Sequence, residues 1–324
     1  MKTFITGATG FIGTHLLKRL SQTSHQLYCL ARKSSNTQHL KEAGAIIVLG
    51  DVIDKRSLLE GMKGCDSVIN LANIYTFWEP NNRIYTDVNI EGTRNVMESA
   101  LENHISKVVH VSTSLIYGKP KESPFNEESP VGPVRYSEYA RTKYQGDLIA
   151  WRLFKEKSLP LVVVYPCMVI GAGNPKFGGQ MVRDLVERRV KARATDNHIN
   201  SVVHVRDVAE VIVKALEKEG NIGQKYLVGQ QIYEREYFQM VSQISGVPLP
   251  RMYLPDSVAI VGAFFLTLLA NLTKKAPMWG LSIDCLRTGT HNIMVDATKV
   301  ERELGIKYSP IRVALEEEIS SYRA

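Results

Sequence analysis

The sequence predicts a doubly wound α/β fold: a parallel sheet with helices on both faces and a smaller, mostly helical cap after it. Three observations carry this. Short apolar runs recur along the first half at Thr3–Thr6, Leu27–Ala31, Ile46–Leu49, Ser67–Leu71, Val108–Ser112 and Leu161–Tyr165. They are continuous rather than alternating, as strands buried on both faces are. Amphipathic stretches alternate with them (12–20, 56–62, 83–103 and 137–155), which is the βαβ order of a parallel sheet. Finally, glycines at 7, 10 and 13 separate the first run from the first helical stretch.

Composition sets the outer limits. A chain of 324 residues with 44% hydrophobic and 23% charged residues is an ordinary globular one, not disordered, collagen-like or coiled-coil. It suffices for about two domains. Residues 1–170 read as a dinucleotide-binding unit, with 202–230 returning to the sheet region, and 171–324 read mainly as a substrate-binding cap. Within the latter, Gly171–Gly179 is rich in Gly and Pro and reads as a loop, while Val202–Val205 and Tyr226–Val228 read as strands around a helix at 208–217.

Cys29, Cys65, Cys167 and Cys285 form no C-x-x-C pair and sit among apolar residues, so reduced, buried thiols are expected. No histidine spacing suggests a metal site, and none is expected. The net charge of +7 is spread along the chain without a basic tract, which argues against a nucleic-acid partner. The chain opens directly on a strand, giving the expectation of a cytoplasmic protein.

The turn Thr6-Gly7-Ala8-Thr9-Gly10-Phe11-Ile12-Gly13 has the makings of a pyrophosphate cradle. Glycines permit a tight turn and close backbone approach, and the helix N-terminus offers amides and positive potential. An NAD site usually has a carboxylate at the end of the second strand, to hold the ribose 2′-hydroxyl. Here that strand ends in Ala31-Arg32-Lys33, and the first acidic residue is Glu42. Two cations there suit a 2′-phosphate, so NADP(H) is expected ahead of NAD(H).

Tyr139 and Lys143 lie four apart in a helical pattern and so share a face. An ammonium beside a phenol favours the phenolate, an arrangement for acid–base work at a carbonyl or alcohol oxygen. Tyr117 and Lys121 have the same spacing, but Gly118 and Pro120 break any helix between them. Thr113 and Ser114, just after the fifth strand, are candidates to bond a substrate oxygen or simply to satisfy local backbone.

Taken together, the loop, Gly50-Asp51, Asn70–Asn73, Asn89–Thr93, STSLIYG (112–118), YARTK (139–143), YPCMVIGAG (165–173), HVRDVA (204–209) and DATKVERELGI (296–306) resemble the extended short-chain dehydrogenase/reductase family along nearly the whole chain. The resemblance makes Tyr139 the acid–base residue, Lys143 its partner and ribose ligand, and Thr113 the active-site hydroxyl. It implies that Asp51 and Val52 meet adenine, that Leu71, Ala72 and Asn73 line the cofactor, and that Pro166 and Val169 flank the nicotinamide.

Departures refine the expectation. Ser114-Leu115 stands where sugar-nucleotide dehydratases of the family carry Asp-Glu, which removes the acid and base of dehydration. Met168 replaces a sugar-binding Asn, and Asn70 a usual His. A soft thioether suits a hydrophobic small molecule, so the chain resembles the branch holding dihydroflavonol reductases and 3β-hydroxysteroid dehydrogenases. Tyr75, Phe77 and Trp78 would form an aromatic pocket wall or a structural core. The expectation is an NADP(H)-dependent oxidoreductase interconverting a carbonyl and a secondary alcohol. The alternatives are a sugar-nucleotide 4-epimerase with retained NAD, and a non-catalytic NADPH-sensing protein. Val258–Leu272 is almost wholly apolar, expected as a buried cap helix or a weak membrane contact. A homodimer through 83–103 and 137–155 is a further expectation drawn from the family.

Overall fold

In the computed structural model, which describes residues 1–193 and 198–323, the apolar runs lie side by side. They are β1 (Lys2–Thr6), β2 (Gln26–Ala31), β3 (Ile46–Leu49), β4 (Ser67–Asn70), β5 (Lys107–Val111) and β6 (Leu161–Pro166). With a later strand at Lys225–Val228 they form one parallel sheet, whose order runs from that strand through β6, β5, β4, β1 and β2 to β3. Alternate residues feed two cores. Ile5, Ile69, Val109 and Val162 face one side, and Phe4, Val68, Val108 and Leu161 the other, all of them fully buried.

The intervening segments are α1 (Phe11–Leu20), α2 (Gln38–Glu42), α3 (Lys55–Gly61), α4 (Arg83–Tyr85), a π-helical segment Thr86–Gly92, α5 (Thr93–Glu102) and α6 (Glu138–Lys157). The stretch expected as one helix over 83–103 is therefore interrupted by a wider π turn. Capping marks the functional helix sharply. The Ser137 side chain accepts from Ala140 N at 3.2 Å, and α6 closes on Ser158 in the left-handed region.

The second half contains β7 (Met168–Ile170), α7 (Phe177–Val186), β8 (Ala192–Arg193), β9 (Ile199–His204), α8 (Val205–Glu217), β10 (Lys225–Val228), β11 (Gln230–Tyr233) and α9 (Glu234–Ser245). It ends with β12 (Met252–Tyr253), α10 (Asp256–Thr273), α11 (Ile283–Gly289), α12 (Thr298–Leu304) and α13 (Ile311–Arg323). Only β10 joins the main sheet. The expected strand at 202–205 is β9, which instead forms a separate three-stranded sheet with β7 and β11. Helix α7 begins at Phe177, inside the segment read as a loop.

One buried acid ties the cap together. Glu318 of α13 is wholly buried; it accepts from Gly171 N at 2.8 Å and meets the Tyr322 hydroxyl at 2.7 Å. That hydroxyl also reaches Gly179 O at 2.9 Å. A phenol has one proton, so both contacts are satisfied when Glu318 is itself protonated and donates to Tyr322. Burial pushes the Glu318 carboxyl up to about 7 from its ordinary value near 4.5. The unfolded chain releases this proton earlier than the folded one. Stability from this group is thus complete below about pH 4.5 and declines as pH rises to about 7. Glu318→Gln is expected to remove that decline, a gain at pH 8 of at most roughly 3 kcal/mol. Urea unfolding of both proteins across the pH range tests it, and parallel stability curves would contradict it.

Candidate active site

The carboxyl ends of β1 to β6 lie along one edge of the parallel sheet, and the residues singled out from the sequence follow those ends. After β1 the chain turns through Gly7 at φ 70°, where a Cβ would stand 2.7 Å from Leu71 C and Ala72 N. At Gly13 a Cβ would stand 2.5 Å from the carbonyl oxygens of Gly7 and Ala8. The turn closes only because both lack a side chain. Gly10 caps α1 with no side chain bonded to the first turn and no acidic residue in it. Thr14 N bonds Gly10 O at 2.9 Å, which leaves the amides of Phe11 and Ile12 ahead of it for a ligand. This is an anion seat of the kind a pyrophosphate occupies.

The flanks fit the rest of a dinucleotide. Arg32 and Lys33 are exposed just beyond β2. Val52 is buried beside the partly buried Asp51, whose carboxylate accepts from Ile53 N at 3.3 Å. Leu71 is buried, Ala72 N donates to Thr6 Oγ1 at 3.2 Å, and Asn73 Nδ2 donates to Leu71 O at 2.9 Å. Pro166 ends β6 and Val169 lies in β7.

Tyr139 and Lys143 occupy the first turns of α6 and are 6% and 1% exposed. Lys143 Nζ donates to Val111 O, at the end of β5, at 3.1 Å. Burial lowers this ammonium to about 8, against the opposing pull of Asp147 one turn further along the helix. The Tyr139 phenol behaves differently from expectation. Burial pushes it well above the ordinary tyrosine range, nearby Tyr75 adds to the shift, and only a hydrogen bond with the Thr113 hydroxyl opposes it. The expected lowering by Lys143 does not govern this phenol, because desolvation outweighs it and the ammonium is committed to the β5 carbonyl. Ser114 is buried, and its hydroxyl partly offsets the rise that burial gives the Cys167 thiol.

The aromatic residues cluster around the phenol. Tyr75 packs on Tyr139 with ring centroids 4.8 Å apart, and Phe77 stands edge-on to both Tyr139 and Phe177 at 6.5 and 5.3 Å. Trp78 turns away, donating through its indole to Asn271 Oδ1 on α10 at 2.9 Å. Met168 is half-buried against the cap core near Ile170 and Val182.

A row of polar side chains behind the site joins Thr6 and Asn70 to His110, which the sequence reading did not single out. Thr6, Asn70 and His110 are register neighbours on β1, β4 and β5. Thr6 Oγ1 donates to Asn70 Oδ1 at 2.6 Å, and Asn70 Nδ2 lies 3.1 Å from His110 Nδ1. The Asn70 amide can only donate there, which assigns the imidazole proton to Nε2, 3.3 Å from Asp147 Oδ1. Burial and the Lys143 charge both lower the His110 pKa, keeping the ring neutral. Asn70 thus replaces the family's His as a relay between a hydroxyl and an imidazole. Asn89, in the π turn, accepts from Ile74 N at 2.8 Å and donates to Ile74 O and to Thr142, clamping the segment before the aromatic cluster. The i, i+4, i+8 spacing of Tyr139, Lys143 and Asp147 is the sequence signal that could have found the carboxylate.

Fold and site define a dinucleotide-dependent enzyme with a tyrosine–lysine pair. The profile of the NAD-dependent epimerase/dehydratase family matches residues 3–229. The chain belongs to that family, within the extended short-chain dehydrogenases/reductases, and is an NAD(P)-dependent enzyme of the reductase, epimerase or dehydratase kind. Among relatives, sterol demethylase protein B of Methylococcus capsulatus is 26% identical, covering 100% of this chain and 98% of that protein. The 4-hydroxy-2-methyl-3-oxo-4-farnesyl-3,4-dihydroquinoline-1-oxide ketoreductase of Stigmatella aurantiaca is 26% identical over 94% of this chain and 91% of its own. The crystal structure of gox2253 superposes with a TM-score of 0.85 at 31% identity, covering 99% and 97% of the two chains.

Removing the Asp147 charge leaves the buried ammonium without the carboxylate that opposes its desolvation. Asp147→Asn is therefore expected to drop the Lys143 pKa below about 8, while Asp147→Glu restores it. Titration of the Lys143 side chain by carbon NMR measures this, and an unmoved midpoint in the Asn variant would reject the coupling.

Proposed function

We propose that this enzyme reduces a carbonyl on a hydrophobic small molecule to a secondary alcohol, with NADPH as the electron donor. The observation that carries the reading is the buried Tyr139 phenol, one helical turn from Lys143 beside the end of β5, with the Tyr75 and Phe77 rings packed on it. A phenol held in its protonated form is the proton donor that carbonyl reduction consumes. The Gly7–Gly13 turn and the α1 N-terminus would hold the dinucleotide, which would supply the hydride for the carbonyl carbon. Tyr139 gives its proton to the carbonyl oxygen, and Thr113, bonded to the same phenol, orients that oxygen. Lys143, fixed on the β5 carbonyl, would hold the ribose. Asp147 acts on Lys143 as a positioning residue.

The substrate class rests on the lining. Tyr75 and Phe77 wall the phenol, and Met168 stands where sugar-nucleotide enzymes carry an amide, so the site offers apolar contact where a sugar needs hydrogen bonds. The two relatives' names, a sterol enzyme and a farnesylated-quinoline ketoreductase, point the same way. Ser114 lies outside the reacting set in this reading, and Trp78 belongs to the entrance. The preference for NADPH rests on Arg32 and Lys33, both exposed and with no acid beside them before Glu42. Reduced, buried thiols at all four cysteines suit a cytoplasmic location.

Tyr139→Phe is expected to lower kcat by about 100-fold or more with dinucleotide affinity within about twofold, read by NADPH absorbance over a panel of apolar ketones and by fluorescence titration. A variant keeping full rate would remove Tyr139 from the mechanism. Enzyme that purifies with tightly held NAD and interconverts a sugar nucleotide without net oxidation would favour the epimerase instead. Arg32→Asp should exchange the cofactor preference, costing NADPH affinity on the order of tenfold while sparing NADH. Equal losses for both cofactors would refute the 2′-phosphate role.

A further inference from the structure

Helix α10 wears its bulky apolar side chains on the outside. At 3.6 residues per turn, Val258, Val261, Phe264, Phe265, Leu268 and Leu272 fall within an arc of about 120°, and they are between 47% and 75% exposed. The opposite side, which meets the protein, carries small and polar residues with the half-buried Ile260 and Leu266. Ala263 and Ala270 are its buried residues, Thr267 Oγ1 accepts from Ile283 N at 2.9 Å, and Asn271 accepts from Trp78. A helix of a water-exposed cap is built the other way round. The expectation of a buried helix over the pocket fails here: Ala263 and Ala270 are buried and Ile260 and Leu266 half-buried, while the other large apolar side chains of the helix are exposed.

The apolar face does not stop with the helix. Met252 and Tyr253 before it are 54% and 50% exposed, and Met278 and Trp279 after it are 54% and 62% exposed. Charge accompanies it with one sign. No Asp or Glu occurs between 257 and 283, while Lys274 and Lys275 close the helix and Arg251 precedes it. A broad apolar face fringed by lysines and interfacial aromatics, whose acid, Asp256 at the start of α10, is paired with His198, complements an anionic lipid surface. A second helix would need only a narrow seam. Nor does the helix cross a bilayer. Its 18 residues span about 27 Å, and the chain on either side folds back onto the same body, through β12 paired with β8 and through Ser282 bonded to Phe77 O at 2.7 Å.

We infer that α10, with 251–254 and 278–279, lies flat in the headgroup layer of an anionic membrane and that a membrane-dissolved carbonyl substrate enters the site from that side. The second half rests on the reductase reading above. The link between surface and site is short in covalent terms: Trp78 bonds α10, its neighbour Phe77 bonds Ser282, and Phe77 stands edge-on to Tyr139.

The test uses the full chain with vesicles of phosphatidylcholine, alone or mixed with phosphatidylglycerol. The protein is expected to float with the mixed vesicles and to be released by salt. Phe265→Glu/Leu272→Glu should cut partitioning by on the order of tenfold or more, and Lys274→Glu/Lys275→Glu should abolish the preference for anionic lipid. Both double variants should reduce a water-soluble ketone at the unmodified rate, but the first should lose rate on a ketone dissolved in vesicles. Tyr139→Phe should float normally without turnover, which separates docking from chemistry. Docking is overturned if the unmodified protein stays with the aqueous fraction, if the Phe265/Leu272 variant floats equally, or if that variant splits a solution dimer into monomers, since a second copy then covers the face. A protein that floats but reduces no ketone upholds docking and overturns the reductase reading.

Discussion

A charged lysine held out of water is the constraint around which the site is built. Lys143 is 1% exposed, and an isolated buried ammonium would simply lose its proton. It is sustained by the Val111 carbonyl and by Asp147. Asp147 is itself 2% exposed, and its carboxylate, 3.3 Å from His110 Nε2, makes no hydrogen bond among the described residues. The His110 tautomer is set by Asn70, whose amide is set by Thr6, which receives the Ala72 amide next to the glycine loop. The chain of donors therefore runs in one direction from the cofactor cradle to His110, whose ring stands against Asp147 of the catalytic helix. Breaking one partner of such a buried set costs about 3–5 kcal/mol, so every member is constrained although only Tyr139 and Thr113 are read as touching substrate.

The parallel sheet, the loop and the Tyr139–Lys143 pair were legible because each follows from local periodicity or spacing. Strands buried on both faces leave continuous apolar runs, and a helix face leaves residues four apart. What was not legible depended on pairing across the chain. Nothing local distinguishes β9 from a strand of the main sheet, since Ser201–His204 are as buried as the strands beside which they were expected. The π turn at Thr86–Gly92 costs no residue type that periodicity would flag. His110 and Asn70 read as polar interruptions of apolar runs, and only register shows that they stand side by side. The phenol's raised pKa was missed for a related reason. Spacing reveals the ammonium's proximity but not the aromatic rings that strip water from Tyr139.

Helix α10 illustrates the limit of composition from the other side. Its apolar length was plain, but whether that length faces a core depends on which neighbours the fold supplies. The protein presents to it the backbone of Ile283 and the Trp78 indole, partners for Thr267 and Asn271 rather than for phenylalanine. The two polar residues that interrupt the run in sequence are thus the ones that dock the helix.

The same stitching binds the cap to the proton donor. Asp284, at the start of α11, accepts from Glu138 N at 2.8 Å, immediately before Tyr139, while Ser282 next to it holds Phe77. The first turn of α6 and the aromatic cluster above it are therefore both anchored to one short segment of the cap. Displacing that segment would move the phenol and its apolar cover together and admit water between them. Desolvation is the largest cause of the phenol's raised pKa, so the contacts that seat this cap segment on α6 and on Phe77 also keep water from Tyr139.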